Sequence, residues 1–265
     1  MELDMKEFKF WQVDAFTDEP FRGNPAAIFI LNENLQDELM LKIAKEMNLS
    51  ETAFFINKKN KFDIRWFTPV SELDLAGHPT LATAHVIIKE LNFQLDKIIF
   101  KTEIGDTLTV TKENNLFIMN FPSRPPELDK NIESVSEALG KKPLQLFRHR
   151  DAVAVFKNEE DIKSIIPNMD KLQKLDYPAV IVTAPGKKVD FVSRNFAPKL
   201  GIPEDPVTGS AHCELIPYWS KILNKKELLA NQISERGGKL YCTHNEDRGT
   251  IGGEAVTFLR GQLEI

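Results

Sequence analysis

Residues 65–69 read Arg-Trp-Phe-Thr-Pro and residues 194–198 read Arg-Asn-Phe-Ala-Pro, the same RxFxP about half a chain apart. Each copy is followed by an acid, Asp74 or Asp205, and then by a glycine that opens a helix-like segment, Gly77 before His78 and Gly209 before Ser210. RxFxP alone fixes only three positions, but the shared order of motif, acid, glycine and helix start predicts an internal duplication. Related halves imply two lobes, each with one central helix wrapped by strands. A pseudo-two-fold axis would then turn both helix N-termini towards one cleft. Two positive dipole ends suit a small anion, above all a carboxylate.

The rest of the chain fits strands around a few helices. FKFWQVDAF alternates apolar and polar residues, AAIFIL follows the Gly23-Asn24-Pro25 turn, and TAFFI and FDIRWF read as further strands. Residues 34–48 place Leu35, Leu39, Ile43 and Met47 at four-residue steps, the stripe of an amphipathic helix. After Gly77, residues Leu81, Ala84, His85, Ile88 and Leu91 share one helical face, and Pro79 suits a first turn. Strands are predicted at KIIFKTEIG, DTLTVTK, LFIMNF, DAVAVF, PAVIVTA and KVDFVSRNF, with small helices at IESVSEAL and EEDIKSII. The helix after Gly209 contains Pro217, which predicts a kink, and the segment from KLYCTH onward alternates like strands. No regular βαβ rhythm is visible, which argues against a dinucleotide fold.

Composition narrows the function. The 265 residues are 42% hydrophobic and 28% charged, ordinary for a globular protein, and the net charge of −5 offers nothing to a phosphate backbone. Cys213 and Cys242 have no CxxC spacing, so a disulfide framework or structural zinc is not expected. MELDMKEFKF lacks the basic start and apolar core of a signal peptide, and no apolar run reaches the ~20 residues of a membrane span. The expectation is a soluble, cytoplasmic protein that binds neither nucleic acid nor membrane. The Gly-rich stretches at 236–238 and 249–253 match neither a Walker loop nor GxGxxG, and His78 and His85 lack a third metal ligand.

Among the chemical residues, Glu51 in NLSETAFF follows a helix and enters an apolar strand. Desolvation there would raise its pKa and fit it to take and return a proton; the plain alternative is a helix end in solvent. His78 can donate to a carboxylate or enolate oxygen or be a bare turn residue. Asp205 precedes Pro206 and is aimed by an extended loop, or merely favours a helix dipole. Ser210 and His212 diverge by roughly 200° on a helix, which disfavours a serine hydrolase.

The blocks VDAFTDEPFRGNPAAIF, NLSETAFF, RWFTPVSELDLAGHPTLATAHV, EDPVTGSAHCELIPYW and SERGGKLY, in this order, resemble the PhzF-like family, named for an isomerase of phenazine biosynthesis. The resemblance runs nearly end to end. It implies a diaminopimelate epimerase-like α+β fold of two pseudo-symmetric lobes, each a barrel-like, mostly antiparallel sheet around a central helix. It also implies a homodimer and cofactor-free proton transfer at carbon, with Glu51 as the acid/base. His78, Asp205 and Ser210 would line the substrate site, and Gly77 and Gly209 would offer backbone N–H groups. The epimerase of that fold uses a cysteine at each helix opening. Ala76 and Val207-Thr208 stand there in this chain, which disfavours a two-thiol racemase.

The resulting expectation is an N-terminal lobe of 1–115, with the strand 258–265 as the candidate to complete it, a C-terminal lobe of 116–257 and an active-site cleft between them. The function expected is a cofactor-independent isomerase of a small carboxylate. A ligand-binding or protein-interaction module of the same fold, without a reaction, is the competing class.

Overall fold

The computed structural model describes residues 6–59 and 61–265; the start of the MELDMKEFKF segment lies outside them. The chain divides into two compact units, Met1–Met119 with Gly253–Ile265, and Asn120–Gly252.

In the first unit, β1 (Glu7–Ala15) pairs antiparallel with β2 (Asn24–Leu31) and with the C-terminal strand Ala255–Glu264. Helix α1 (Asp37–Met47) carries the chain to β3 (Glu51–Lys58), which lies parallel to β2. Strand β4 (Lys61–Phe67) returns antiparallel, and the short β5 (Glu72–Leu73) folds back on it. Helix α2 (His78–His85) then crosses to β6 (Lys97–Thr102), parallel to β4, and β7 (Thr107–Glu113) and β8 (Leu116–Pro122) extend the meander. Every residue of α2 is buried, so it is a helix wrapped on all sides. The single-faced stripe expected for 81–91 is therefore a correction. The register also changes at His85, because Val86–Glu90 form a π-turn closed by Leu91 N–H donating to the Val86 carbonyl at 2.9 Å. Helix α1 has one apolar face, but it centres on Met40, Ile43 and Ala44, with Leu39 and Met47 only partly buried and Leu35 ahead of the helix, in a cluster with Phe29, Phe54 and Phe67.

The second unit holds β9 (Glu127–Leu128), α3 (Ile132–Leu139), β10 (Gln145–Arg148), β11 (Ala152–Val155), α4 (Glu159–Lys163), α5 (Met169–Lys174), β12 (Val180–Pro185), β13 (Phe191–Ala197), β14 (Ile202–Asp205), α6 (Gly209–Leu223), β15 (Glu227–Gln232), β16 (Gly238–Asn245) and β17 (Arg248–Gly253). From β10 it repeats the first unit's pairings: antiparallel β10–β11, parallel β11–β12, antiparallel β12–β13 and β13–β14, parallel β13–β15, antiparallel β15–β16. The expected EEDIKSII helix stops at Lys163, and α5 is a further helix that the sequence patterns did not indicate. Each unit thus contains two parallel crossovers, which the sequence reading did not anticipate. Crossovers that differ in length and in helix content, one short helix in the first unit and α4 with α5 or the long α6 in the second, leave no regular βαβ rhythm along a chain otherwise rich in hairpins.

The duplication is visible atom by atom. Arg65 forks Glu72 with Nε and Nη2 at 2.7 and 2.6 Å, and Arg194 forks Glu204 with Nε and Nη2 at 2.8 Å each. Each guanidinium also covers the ring two residues on, Phe67 at 5.2 Å and Phe196 at 4.8 Å. The acids that correspond are therefore Glu72 and Glu204, not Asp74 and Asp205. Asp205 stands opposite Asn195, where the first half has Leu73 opposite Trp66. The three extra residues of the second copy fall before Glu204, around the 3-10 turn Pro198–Leu200.

Helix α6 runs through Pro217 to Leu223. Proline lacks the N–H that would bond the carbonyl four residues back, and the Cys213 carbonyl so released accepts from the Arg124 N–H at 2.9 Å.

Candidate functional site

The backbone before Glu51 is fixed by two turns. Asn48 ends α1 in the left-handed region at φ 51°, and its N–H donates to the Ala44 carbonyl. Leu49 and Ser50 then lead into β3, whose first residue, Glu51, pairs with Ala26 of β2. At the start of β2, Gly23 has φ +65°, and a Cβ there would meet the Ala15 carbonyl oxygen at 2.1 Å. Only glycine makes this turn without strain, and the turn delivers Asn24 into the interior at 0% exposure.

His78, the first residue of α2, meets these segments. Its Nδ1 lies 3.2 Å from Asn24 Nδ2 and its Nε2 lies 3.3 Å from Ser50 Oγ, while Ser50 Oγ donates to Asn24 Oδ1 at 3.0 Å. These three contacts close a ring, and the imidazole also hydrogen-bonds the Pro25 backbone carbonyl. The Asn24 amide donates to Nδ1, Nε2–H donates to Ser50, and the Ser50 hydroxyl donates back to Asn24. Burial lowers the His78 pKa to about 3, so the imidazole is neutral across physiological pH. Glu51 Oε2 lies 3.6 Å from His78 Nδ1, with the glutamate side chain 15% exposed. Glu51 is thus a largely buried strand residue, and the solvent-exposed helix end is excluded. The two residues are brought together, but with a neutral imidazole this is a polar contact and no ion pair.

In the second unit, Asp205 ends β14 and is 8% exposed. Its Oδ2 accepts from the Thr208 hydroxyl at 2.5 Å. The main chain then enters α6 at Gly209 and Ser210, with no side chain capping that helix start. An uncapped first turn presents N–H groups to a ligand. His212 Nδ1–H donates to the Thr208 carbonyl, 2.8 Å away, and so the ring is turned from Ser210 as the helical spacing required. Cys213 and Cys242 are both buried free thiols, raised by burial, Cys213 to about 11. Among the described residues no cluster of His, Cys, Asp and Glu could hold a metal, and no helix is long and apolar enough to cross a membrane.

Sequence reasoning passed over Asn24, Ser50, Asn195, Thr208 and Gln232, all polar groups tied to His78 or Asp205. The signal available was the Gly-Asn-Pro turn and the serine beside Glu51. For Gln232, within an ordinary strand, there was none.

Two pieces of geometry stand out, a buried carboxylate beside a neutral histidine and a second carboxylate beside an uncapped helix start. A family model described as phenazine biosynthesis-like protein matches residues 13–261. This chain belongs to that family. A Pseudomonas aeruginosa relative described as an uncharacterized isomerase is 43% identical over 98% of this chain and 99% of its own length. The crystal structure of a PhzF-family protein from Enterococcus faecalis superposes with a TM-score of 0.95 at 44% identity, covering 98% of this chain and 100% of that one. A hydroxyproline epimerase from Agrobacterium vitis, solved with bound trans-4-hydroxy-L-proline, shares the fold at a TM-score of 0.61 and 9% identity, covering 98% of this chain and 93% of its own. The fold is accordingly that of the phenazine biosynthesis-like and epimerase proteins.

Proposed function

We propose that this protein is an isomerase that moves a proton between two carbons of a small carboxylate substrate, with Glu51 as its one acid/base. The observation that carries the reading is the Glu51 carboxylate, largely buried and 3.6 Å from the His78 imidazole at the opening of α2. The isomerase named among its relatives points the same way.

Removal of a proton from carbon requires a base with little competing solvation and a place for the developing negative charge. Burial strips water from Glu51. The neutral His78 ring adds no positive charge that would sap the carboxylate's affinity for a proton. The backbone N–H groups at Gly77 and His78, at the positive end of α2, face charge that develops on a substrate oxygen. Asp205, with the Gly209 and Ser210 N–H groups, is proposed as a further set of substrate-binding groups. The second half carries no carboxylate at the matching position. The strand pairings put Ala179 at the position of the second half that matches Glu51. A single carboxylate that takes the proton from one carbon and returns it to another on the same face needs no partner base, and no cofactor enters that step.

The test is turnover of unsaturated and β-keto carboxylates by the wild-type protein and by Glu51→Gln, with binding measured alongside by calorimetry. The proposal expects turnover to fall by about 10² to 10⁴ and binding to persist. Undiminished turnover in Glu51→Gln refutes it, and wild-type binding with no turnover across the panel favours a module that only binds.

A further inference from the structure

We propose that Thr208 and Gln232 are positioning residues that lock the Asp205 carboxylate in its ionised form and in one orientation. The inference rests on the reading of Asp205 as a substrate-binding group.

The hydrogen-bond polarity is determined outward from the main chain. Gln232 Oε1 accepts from the Thr208 backbone N–H at 2.9 Å, and its Nε2 donates to the Asp205 carbonyl at 2.7 Å. A backbone donor at one end and a backbone acceptor at the other leave the amide a single orientation. The remaining Nε2 hydrogen points at Thr208 Oγ1, 3.1 Å away, and Asn195 Nδ2 donates to the same oxygen at 3.0 Å. The Thr208 hydroxyl donates to Asp205 Oδ2 at 2.5 Å, an ionised carboxylate oxygen having no proton to give. A hydroxyl donating to a carboxylate at that distance is a charge-assisted bond that favours the anion. Gln232 is 1% exposed, so no solvent competes for the amide.

A joint needed only to hold the fold together would be expected in both halves, because both use the same strands and helix. The strand pairings place Trp66 where the second half has Asn195, Thr102 where it has Gln232 and Leu73 where it has Asp205. Counting from the helix glycines, Ala76 stands where the second half has Thr208. None of the four can reproduce the clamp, which therefore serves Asp205 and not the architecture.

The experiment follows the Asp205 carboxyl carbon by NMR in the full-length chain labelled with carboxyl-¹³C aspartate, assigned by its loss in Asp205→Asn. Glu204 with its partner Arg194 precedes Asp205, His212 on α6 is lowered to about 4 by burial, and Glu235 and Arg236 follow Ser234, whose hydroxyl donates to the Pro206 carbonyl. All stay unaltered in the variants, and the label separates the aspartate from the imidazole. Thr208→Val should raise the Asp205 midpoint by about one pH unit, Thr208→Ser should restore it, and Gln232→Leu should raise it by less. An unchanged midpoint in Gln232→Leu and in folded Thr208→Val overturns the clamp, as does failure of Thr208→Ser to restore it. Should Thr208→Val not fold, Gln232→Leu alone decides. No substrate enters the measurement, so loss of the clamp and loss of the assigned reaction are distinguished. Unimpaired turnover in Asp205→Asn removes Asp205 from the substrate and leaves the titration result standing.

Discussion

Glu51 Oε2 and His78 Nδ1 stand 3.6 Å apart, with the imidazole held neutral by burial and bonded on both ring nitrogens. The contact joins the first residue of a strand to the first residue of a helix, and its polarity is set by Asn24 and Ser50. The arrangement calls for the Nε2–H tautomer, because Nδ1 is the acceptor of the Asn24 amide. ¹⁵N NMR of the ring should show that tautomer, unprotonated, from pH 8 down to pH 5. A histidine that titrates near its ordinary 6.5, or that carries its proton on Nδ1, contradicts the ring of donors.

Stability should depend on pH through Glu214. This α6 residue is wholly buried, and its Oε1 accepts from the Asp151 N–H at 3.2 Å. Burial, and next the charge of Asp151, push its pKa up to about 8. Between the unfolded value near 4.5 and about 8 the native state holds a proton that the unfolded chain has released. Stability therefore falls as pH rises through that window, by up to about 1.4 kcal/mol per pH unit. Glu214→Gln removes the titration and keeps an acceptor. Its urea midpoint should match wild type below pH 4.5 and exceed it at pH 8.5. Parallel profiles for the two proteins would rule out Glu214 as the source.

The two arginine forks should differ in importance. Arg194 Nη1 also donates to the Ile162 and Ile165 carbonyls at 2.9 Å each, tying the end of α4 to β13, whereas Arg65 Nη1 reaches only the exposed Asp37. Lysine cannot serve Glu204 and both carbonyls together. Arg194→Lys should cost about 2–3 kcal/mol, and Arg65→Lys about 1 kcal/mol or less, read as denaturant midpoints. Equal losses would show that the carbonyl contacts contribute little.

The sequence reveals the duplication because RxFxP combines an arginine fork with an aromatic platform, and both are short-range. The sequence pairs Asp74 with Asp205, whereas the acids that correspond are Glu72 and Glu204, two and one positions earlier. Glu72 and Glu204 differ in distance from the motif by the inserted turn, and only the strand pairing aligns them. Glu51, His78 and Asp205 were legible as polar residues at element starts. Their partners were not, since Asn24 lies 54 residues from His78 and Gln232 lies 27 from Asp205. Buried hydrogen bonds of that span leave no periodicity in a chain. The full burial of α2 was hidden for a related reason, because Ala82 and Thr83 are too small to mark a second apolar face.

Glu51 is proposed to carry the proton between carbons. That role is tested most directly by running the reaction in D₂O on whichever carboxylate the wild-type protein turns over, and reading deuterium in the product by NMR. Wild type should fill the newly protonated carbon partly with deuterium, from exchange at the Glu51 carboxyl, and partly with the proton carried over from the donor carbon, and Glu51→Gln, still binding the substrate, should form either product about 10²- to 10⁴-fold more slowly. Deuterium appearing at that carbon at the wild-type rate in Glu51→Gln would contradict that role.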